Sequence, residues 1–326
     1  MTGLTPGVET HATPAAVPHG YEAAMAPSGD TQHRGMADAG RDTVGPMMLG
    51  AWDAFLEQAA AVDLGRPTRL PEWRVHEVCV HLGLWDDHAA LPDLIASARA
   101  GGLGTPPAVD ATNARVTAAH RDASREEVLA ALRRNRDATA RYLAEEPAEL
   151  DTAPAVAVVG RLPLLSVVLG QAYELAVHGL DLVPCGAAPP PPAVLQSGLA
   201  ALADVTGALA AREGVIGGAT LATPEGGWTF AADGAGWTVR RTPAGDVRGT
   251  AVEAPADLLL EAASGRVNPV AALARRRLRV HELGGLLALA PIVQSAPGIP
   301  GGPILALAAQ TLGGVGGLVG RLRGRR

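Results

Sequence analysis

Lysine is missing from this chain of 326 residues, so all 27 basic residues are arginines; alanine, glycine, proline and valine are abundant, the pattern of a high-GC coding bias. Charge is scarce as well. Charged residues make up 18% of the chain and the formal net charge is −6, which leaves no basic field to gather a polyanion and excludes nucleic acid as an expected partner. Two cysteines occur, Cys79 and Cys185, in unrelated contexts. They cannot build a disulfide framework or a zinc ribbon, and both read as structural in a reducing cytoplasm. The first 40 residues hold no basic stretch leading into an apolar run, so no secretory signal is expected.

Apolar residues, in contrast, make up 48% of the chain, and the length suits about two domains, each with a core. Residues 1–43 mix Pro, Gly, Thr and Ala without a helical or strand period and read as a disordered leader. Helical spacing then begins in "VGPMMLGAWDAFLEQAAA". The stretch "LPEWRVHEVCVHLGLWDDHAALPDLIASARAGG" predicts a turn followed by one long amphipathic helix. A third helix opens with Ser124 and Glu127 as a capping box, and Pro163 introduces a fourth, "PLLSVVLGQAYELAVHGLDLV". Together these predict a helical bundle over residues 44–183.

"PCGAAPPPP", residues 184–192, cannot continue a helix and reads as a Pro-rich linker. Beyond it, residues 193–298 predict a smaller domain: a helix, the short β-like runs "GWTFAAD", "GWTVRRT" and "VRGTAVEA", then a helix, a strand and a closing helix. The expected class is mostly α, joined to an α+β domain. Residues 299–326 form a Gly-rich apolar tail ending in Arg321, Arg323, Arg325 and Arg326, a candidate for peripheral membrane contact.

The polar residues of "QAYELAVHGLDL" stand out against their apolar surroundings. On a helix His178 lies about 40° round from Glu174, and Asp181 returns to within about 20°, so the three share a stripe. His81 sits in a similar apolar run, with His88 on the same predicted face, and antiparallel packing would bring His81 to Glu174 and His178. Two histidines and a carboxylate are a facial metal set that leaves a coordination position open. A satisfied core histidine or a simple helix pair fits the same spacing. Asp181 would then support His178 from behind. Cys79 lies about 160° from His81 on the helix and reads as a small packed hydrophobe, while His76 and His120 are expected on exposed faces.

"LPEWRVHEVCVHLGLW" and "YELAVHGLDL" together resemble the mycothiol-dependent maleylpyruvate isomerase family of the DinB-like superfamily, and "APADLLLEAASGRVNPVAALARRRLRVHELGGLLALAPIV" is similar to its sterol-carrier-like C-terminal domain. The resemblance implies a DinB-like four-helix bundle in which His81, Glu174 and His178 are metal ligands, with Zn2+ or another divalent metal and mycothiol as cofactors. It implies a thiol added to a small-molecule electrophile, as isomerase or S-transferase. Arg266 is the candidate for gripping a carboxylate and Asp181 for supporting the site. Departures are Arg74 where a Ser or Thr cap is usual, which leaves only the Glu77 half of a capping box, and His281 and Glu282 where Gly and Asp are usual. The alternative is a non-catalytic metal- and lipid-binding protein.

Overall fold

The computed structural model describes residues 32–289, 291 and 292. The element order begins with β1 (His33–Arg34), α1 (Met36–Ala39) and α2 (Arg41–Ala61). The leader expected through residue 43 therefore stops short of that point, and its first 31 residues lie outside the description, as does the tail from 299. Residues 33–43 are ordered because they have distant partners. Arg41 spends its whole guanidinium on the end of α6 (Arg125–Glu145): Nη1 donates to Leu143 O and Glu146 O, Nη2 to Pro147 O, and Nε and Nη2 to the Asp151 carboxylate. It thereby satisfies helix-terminal carbonyls that have no partner within the helix.

The long helix expected after Trp73 is two helices, α3 (Val75–Leu82) and α4 (Ala90–Arg99). Its backbone is diverted at Gly83, where an added Cβ would lie 2.9 Å from the Ala131 Cβ on α6. Leu84 N then bonds to Ala131 O, and Trp85 Nε1 turns back to Val80 O. His88 consequently sits in the α3–α4 loop and not on the His81 helix. At the start of α3, Glu77 accepts from the Arg74 backbone N–H, the half cap read from the sequence. α5 (Val109–Ala119) precedes α6, whose box is made: Ser124 N and Oγ both donate to Glu127 Oε2. A hairpin, β2 (Pro154–Ala157) with β3 (Gly160–Pro163), then leads into α7 (Leu164–Leu182).

α7 is buried along most of its length and packs against α2 on one side and α8 (Pro192–Arg212) on the other. The Pro-rich stretch before α8 is pinned to the bundle: Gln58 Nε2 donates to Ala188 O and Gly179 O. α8 is long and apolar enough to cross a membrane by composition, yet 83% of its apolar window is buried in the core.

The remaining elements are β4 (Gly217–Ala222), β5 (Gly227–Asp233), β6 (Gly236–Thr242), β7 (Ala251–Glu253), α9 (Ala256–Ala263), α10 (Pro269–Ala274), β8 (Arg279–His281) and α11 (Leu283–Ala288). The sheet order is β1-β6-β5-β4-β7-β8, antiparallel except for the β1–β6 and β4–β7 pairs. Phe230 and Trp237 close on α8 at Gly207, while Thr220, Thr229 and Thr242 form a ladder of hydroxyls at 2.7 and 2.6 Å. β1 makes the N-terminal segment a strand of this sheet. Gly35, at φ 59°, passes so close that a Cβ would meet Asp204 Oδ1 and Trp237 Nε1 at 2.0 Å. The class is mostly α with an α+β portion, as expected, and the buried apolar residues of both portions join in a single core.

Candidate metal centre

α3 and α7 cross so that His81 faces Glu174 and His178, which the i, i+4 spacing puts on one side of α7. His178 Nε2 lies 3.6 Å from Glu174 Oε2, and His81 Nε2 lies 4.0 Å from the same oxygen. One ligand atom from each of the three falls within 4.8 Å of the others. Ligand atoms sharing one ion stand about 3–4 Å apart, because each bond is about 2 Å long, so small side-chain rotations suffice to close this set on a divalent metal.

The second nitrogen of each ring is held. His81 Nδ1 lies 3.1 Å from Asn113 Oδ1, and His178 Nδ1 lies 3.0 Å from Asp181 Oδ2. Both acceptors are oxygens, so each Nδ1 carries the proton and each Nε2 lone pair points at Glu174. Trp73, in the turn before α3, is stacked on His178 with centroids 6.2 Å apart and tilted against His81 at 5.5 Å.

Asp181 is fully buried and accepts from Arg69 Nε at 2.7 Å and Arg266 Nη2 at 3.0 Å as well as from His178. Burial alone would raise its pKa, but the hydrogen bonds from His178 and Arg266 outweigh that and bring it down to about 2. Arg69 reaches on to Glu261, and Arg266 to Ser264 O. Burial pushes His178 below the ordinary histidine range despite Asp181, which keeps the ring neutral and able to bind a metal. Burial opposes the charge of Glu174, but its place beside both imidazoles and in reach of the Arg266 charge outweighs that, and its pKa is lowered.

The α2–α7 stretch is similar to the mycothiol maleylpyruvate isomerase family. Residues 48–183 match the family model described as "Mycothiol maleylpyruvate isomerase N-terminal domain". Two crystal structures, of the mycothiol-dependent maleylpyruvate isomerase and of a histidine-to-alanine mutant of it, each align at 18% identity over 72% of this chain and 93% of theirs, with a TM-score of 0.45. Comparison with curated proteins finds no match.

The sequence pattern anticipated the meeting of His81, Glu174 and His178 and the contact of Asp181 with His178. Three neighbours escaped it. Asn113 belongs to a helix of weak periodicity, Arg69 comes from a loop, and Trp73 had been read only as part of a turn motif. His88 reaches the same cavity from its loop. His120 is not on an exposed face: it stacks on Trp85 with centroids 3.8 Å apart and bonds to Asp87 at 2.8 Å. His76 is half-buried, with Nε2 against Ala123 O at 3.1 Å. Arg266 lines the cavity, but the carboxylate it grips is that of Asp181.

The cavity above the three ligand atoms measures about 820 Å³. Trp52, Trp73, Leu94, Val109, Val167 and Leu175 supply much of its wall, and Leu103 and Val158 stand largely exposed on its lining.

Proposed function

We propose that the chain is a metal-dependent, mycothiol-using enzyme that adds a thiol to a small electrophile, as isomerase or S-transferase, with His81, Glu174 and His178 holding zinc or another divalent metal. The observation that carries this reading is the pair of oriented imidazoles: each Nδ1 is committed to an oxygen, so each Nε2 is free to face Glu174. A divalent ion held there supplies thiol activation, lowering a thiol pKa from about 8.5 and so furnishing nucleophile at neutral pH.

The chain's own residues do the rest. Asn113 and Asp181 fix the two rings, Arg69 and Arg266 fix Asp181, and Trp52 and Trp73 line the cavity. Asp181 and Arg266 are thus positioning residues. Neither cysteine takes part: both are buried, and burial raises both thiols, Cys79 to about 12.

Metal content measured beside thiol consumption tests the reading. Untagged wild-type protein is expected to carry about one metal per chain and to consume mycothiol with an electrophile, and His178→Ala to lose both while keeping its far-ultraviolet circular dichroism. A wild type that takes up no zinc when offered it would sink the proposal.

A further inference from the structure

Charge is segregated along this chain. Residues 262–326 hold nine of the 27 arginines and one of the 33 carboxylates, Glu282, a net charge of +8 that leaves −14 on the rest. Among the described residues the excess is concentrated where α10 ends: Arg275, Arg276, Arg277 and Arg279 are all exposed. Arg279 has a loose partner in Glu253 at 3.8 Å, a carboxylate that His281 holds more closely at 2.9 Å. The side chains of Arg275, Arg276 and Arg277 have no ion-pair partner among the described residues. In contrast, Arg41, Arg69, Arg99, Arg136 and Arg266 each meet a carboxylate at 3.0 Å or less.

The segment that carries these arginines is firmly built. Asn268 Oδ1 accepts from Val270 N and Ala271 N at the start of α10, Arg277 N bonds back to Ala272 O at its end, and Leu278 is buried. Pro269 and Ala272 are buried as well, while Val270 and Leu273, which share a face at i and i+3, are 49% and 36% exposed. Arg276 has φ 57°, a left-handed backbone that glycine adopts without penalty. Glycine would make this turn at lower conformational cost, so the fold does not account for the side chain at 276.

Unpaired guanidinium groups beside exposed aliphatic side chains match the interface of an anionic bilayer, where the charged heads meet lipid phosphates and the aliphatics lie at the edge of the acyl region. A nucleic-acid duplex offers the same phosphates but no hydrocarbon layer to receive Val270 and Leu273. We propose that α10 and the turn after it dock this protein on an anionic lipid surface, with Arg275, Arg276 and Arg277 on the headgroups and Val270 and Leu273 dipping between them. The surface owes nothing to the thiol chemistry, so its test stands whether or not a metal binds.

Sedimentation of the full chain with lipid vesicles tests the proposal. Binding to phosphatidylcholine vesicles containing one third phosphatidylglycerol is expected to exceed binding to pure phosphatidylcholine by about tenfold or more. It should vanish at about 1 M salt, where the Debye length is about 3 Å. Arg276→Gly should weaken binding about fivefold while the thermal midpoint stays equal or rises, a combination that a purely structural role would not give. Adding Arg275→Ser and Arg277→Ser should deepen the loss to well over tenfold, and Val270→Ser with Leu273→Ser should cost about threefold or more. Equal binding to both kinds of vesicle would overturn the proposal. So would undiminished binding by the triple arginine variant, which would move the contact to residues 321–326. Duplex DNA bound as tightly at equal phosphate would also overturn it, in favour of nucleic acid.

Discussion

His178 and Asp181 stand one turn apart on α7, and the imidazole Nδ1 meets the carboxylate across 3.0 Å while two guanidinium groups approach the same carboxylate from a loop and from the residues after α9. The ring's orientation therefore depends on three separate parts of the chain. Asp181→Asn should deprive the partly exposed Arg69 and Arg266 of their buried counter-charge and lower stability by about 2 kcal/mol, with metal affinity falling alongside. Urea unfolding and zinc titration measure the two effects; a variant as stable as wild type would contradict the structural role.

Asn113 does for His81 what Asp181 does for His178, without a charge. Asn113→Ala is expected to weaken metal binding about 10- to 100-fold with little loss of stability, and Asn113→Asp to restore it. Competition against a chelator of known affinity reads this directly. Equal affinities in all three proteins would remove Asn113 from the site.

Asp204 sets a pH dependence remote from the metal residues. Burial raises its carboxyl to about 6, although Met36 N, Ser166 and Trp237 Nε1 all favour the charged form. The folded state holds this proton where the unfolded chain has released it, so the stability it contributes is full below about pH 4 and is lost as pH rises through about 6. Asp204→Asn keeps an acceptor for Met36 and Trp237 and removes the ionisation. Its stability relative to wild type should rise by about 2–3 kcal/mol between pH 4 and pH 7.5 in urea unfolding. A difference that does not change with pH would show that no proton is held there.

Gly35→Ala should be costly, because the left-handed backbone and the 2.0 Å approach to Asp204 and Trp237 leave no room for a methyl group. A loss of about 2 kcal/mol or more is expected, seen as a lower thermal midpoint. An unchanged midpoint would mean that the N-terminal strand is not part of the cooperative fold.

Cys79 is fully buried and its thiol lies far above neutrality. Native protein at pH 8 should resist labelling there, and Cys79→Ala should retain thiol-transfer activity within about twofold. Rapid native labelling would show that the α3 face opens.

Local patterns were the legible part of this sequence. Ser124 and Glu127 announce the start of α6 by themselves, the runs "GWTFAAD" and "GWTVRRT" mark β5 and β6, and the stripe on α7 carries Glu174, His178 and Asp181 together. What escaped is set by partners distant in sequence. Helical spacing runs on past Leu82, and the break comes because Leu84 N finds Ala131 O on another helix. β1 has two residues and no pattern of its own; it is a strand because β6 lies beside it. Arg69 has no signal in its loop, since its value comes from Asp181 and Glu261. The cluster of His81, Glu174 and His178 was thus legible from one helix and one motif, whereas its neighbours Asn113, Arg69 and Trp73 came from the tertiary structure.

The pairing of His33 with Gly236 also bears on how the molecule is made. During translation, residues 33–36 leave the ribosome about 200 residues before the strand they join, a wait of about 10–40 seconds at ordinary elongation rates. Until then Met36 and Ala37, both buried in the finished protein, have nothing to be buried against in the sheet. The helical portion can collapse on the ribosome, but the fold is fastened only after β6 is out, so a nascent chain stalled before residue 236 should still offer its N-terminal segment to chaperones and proteases.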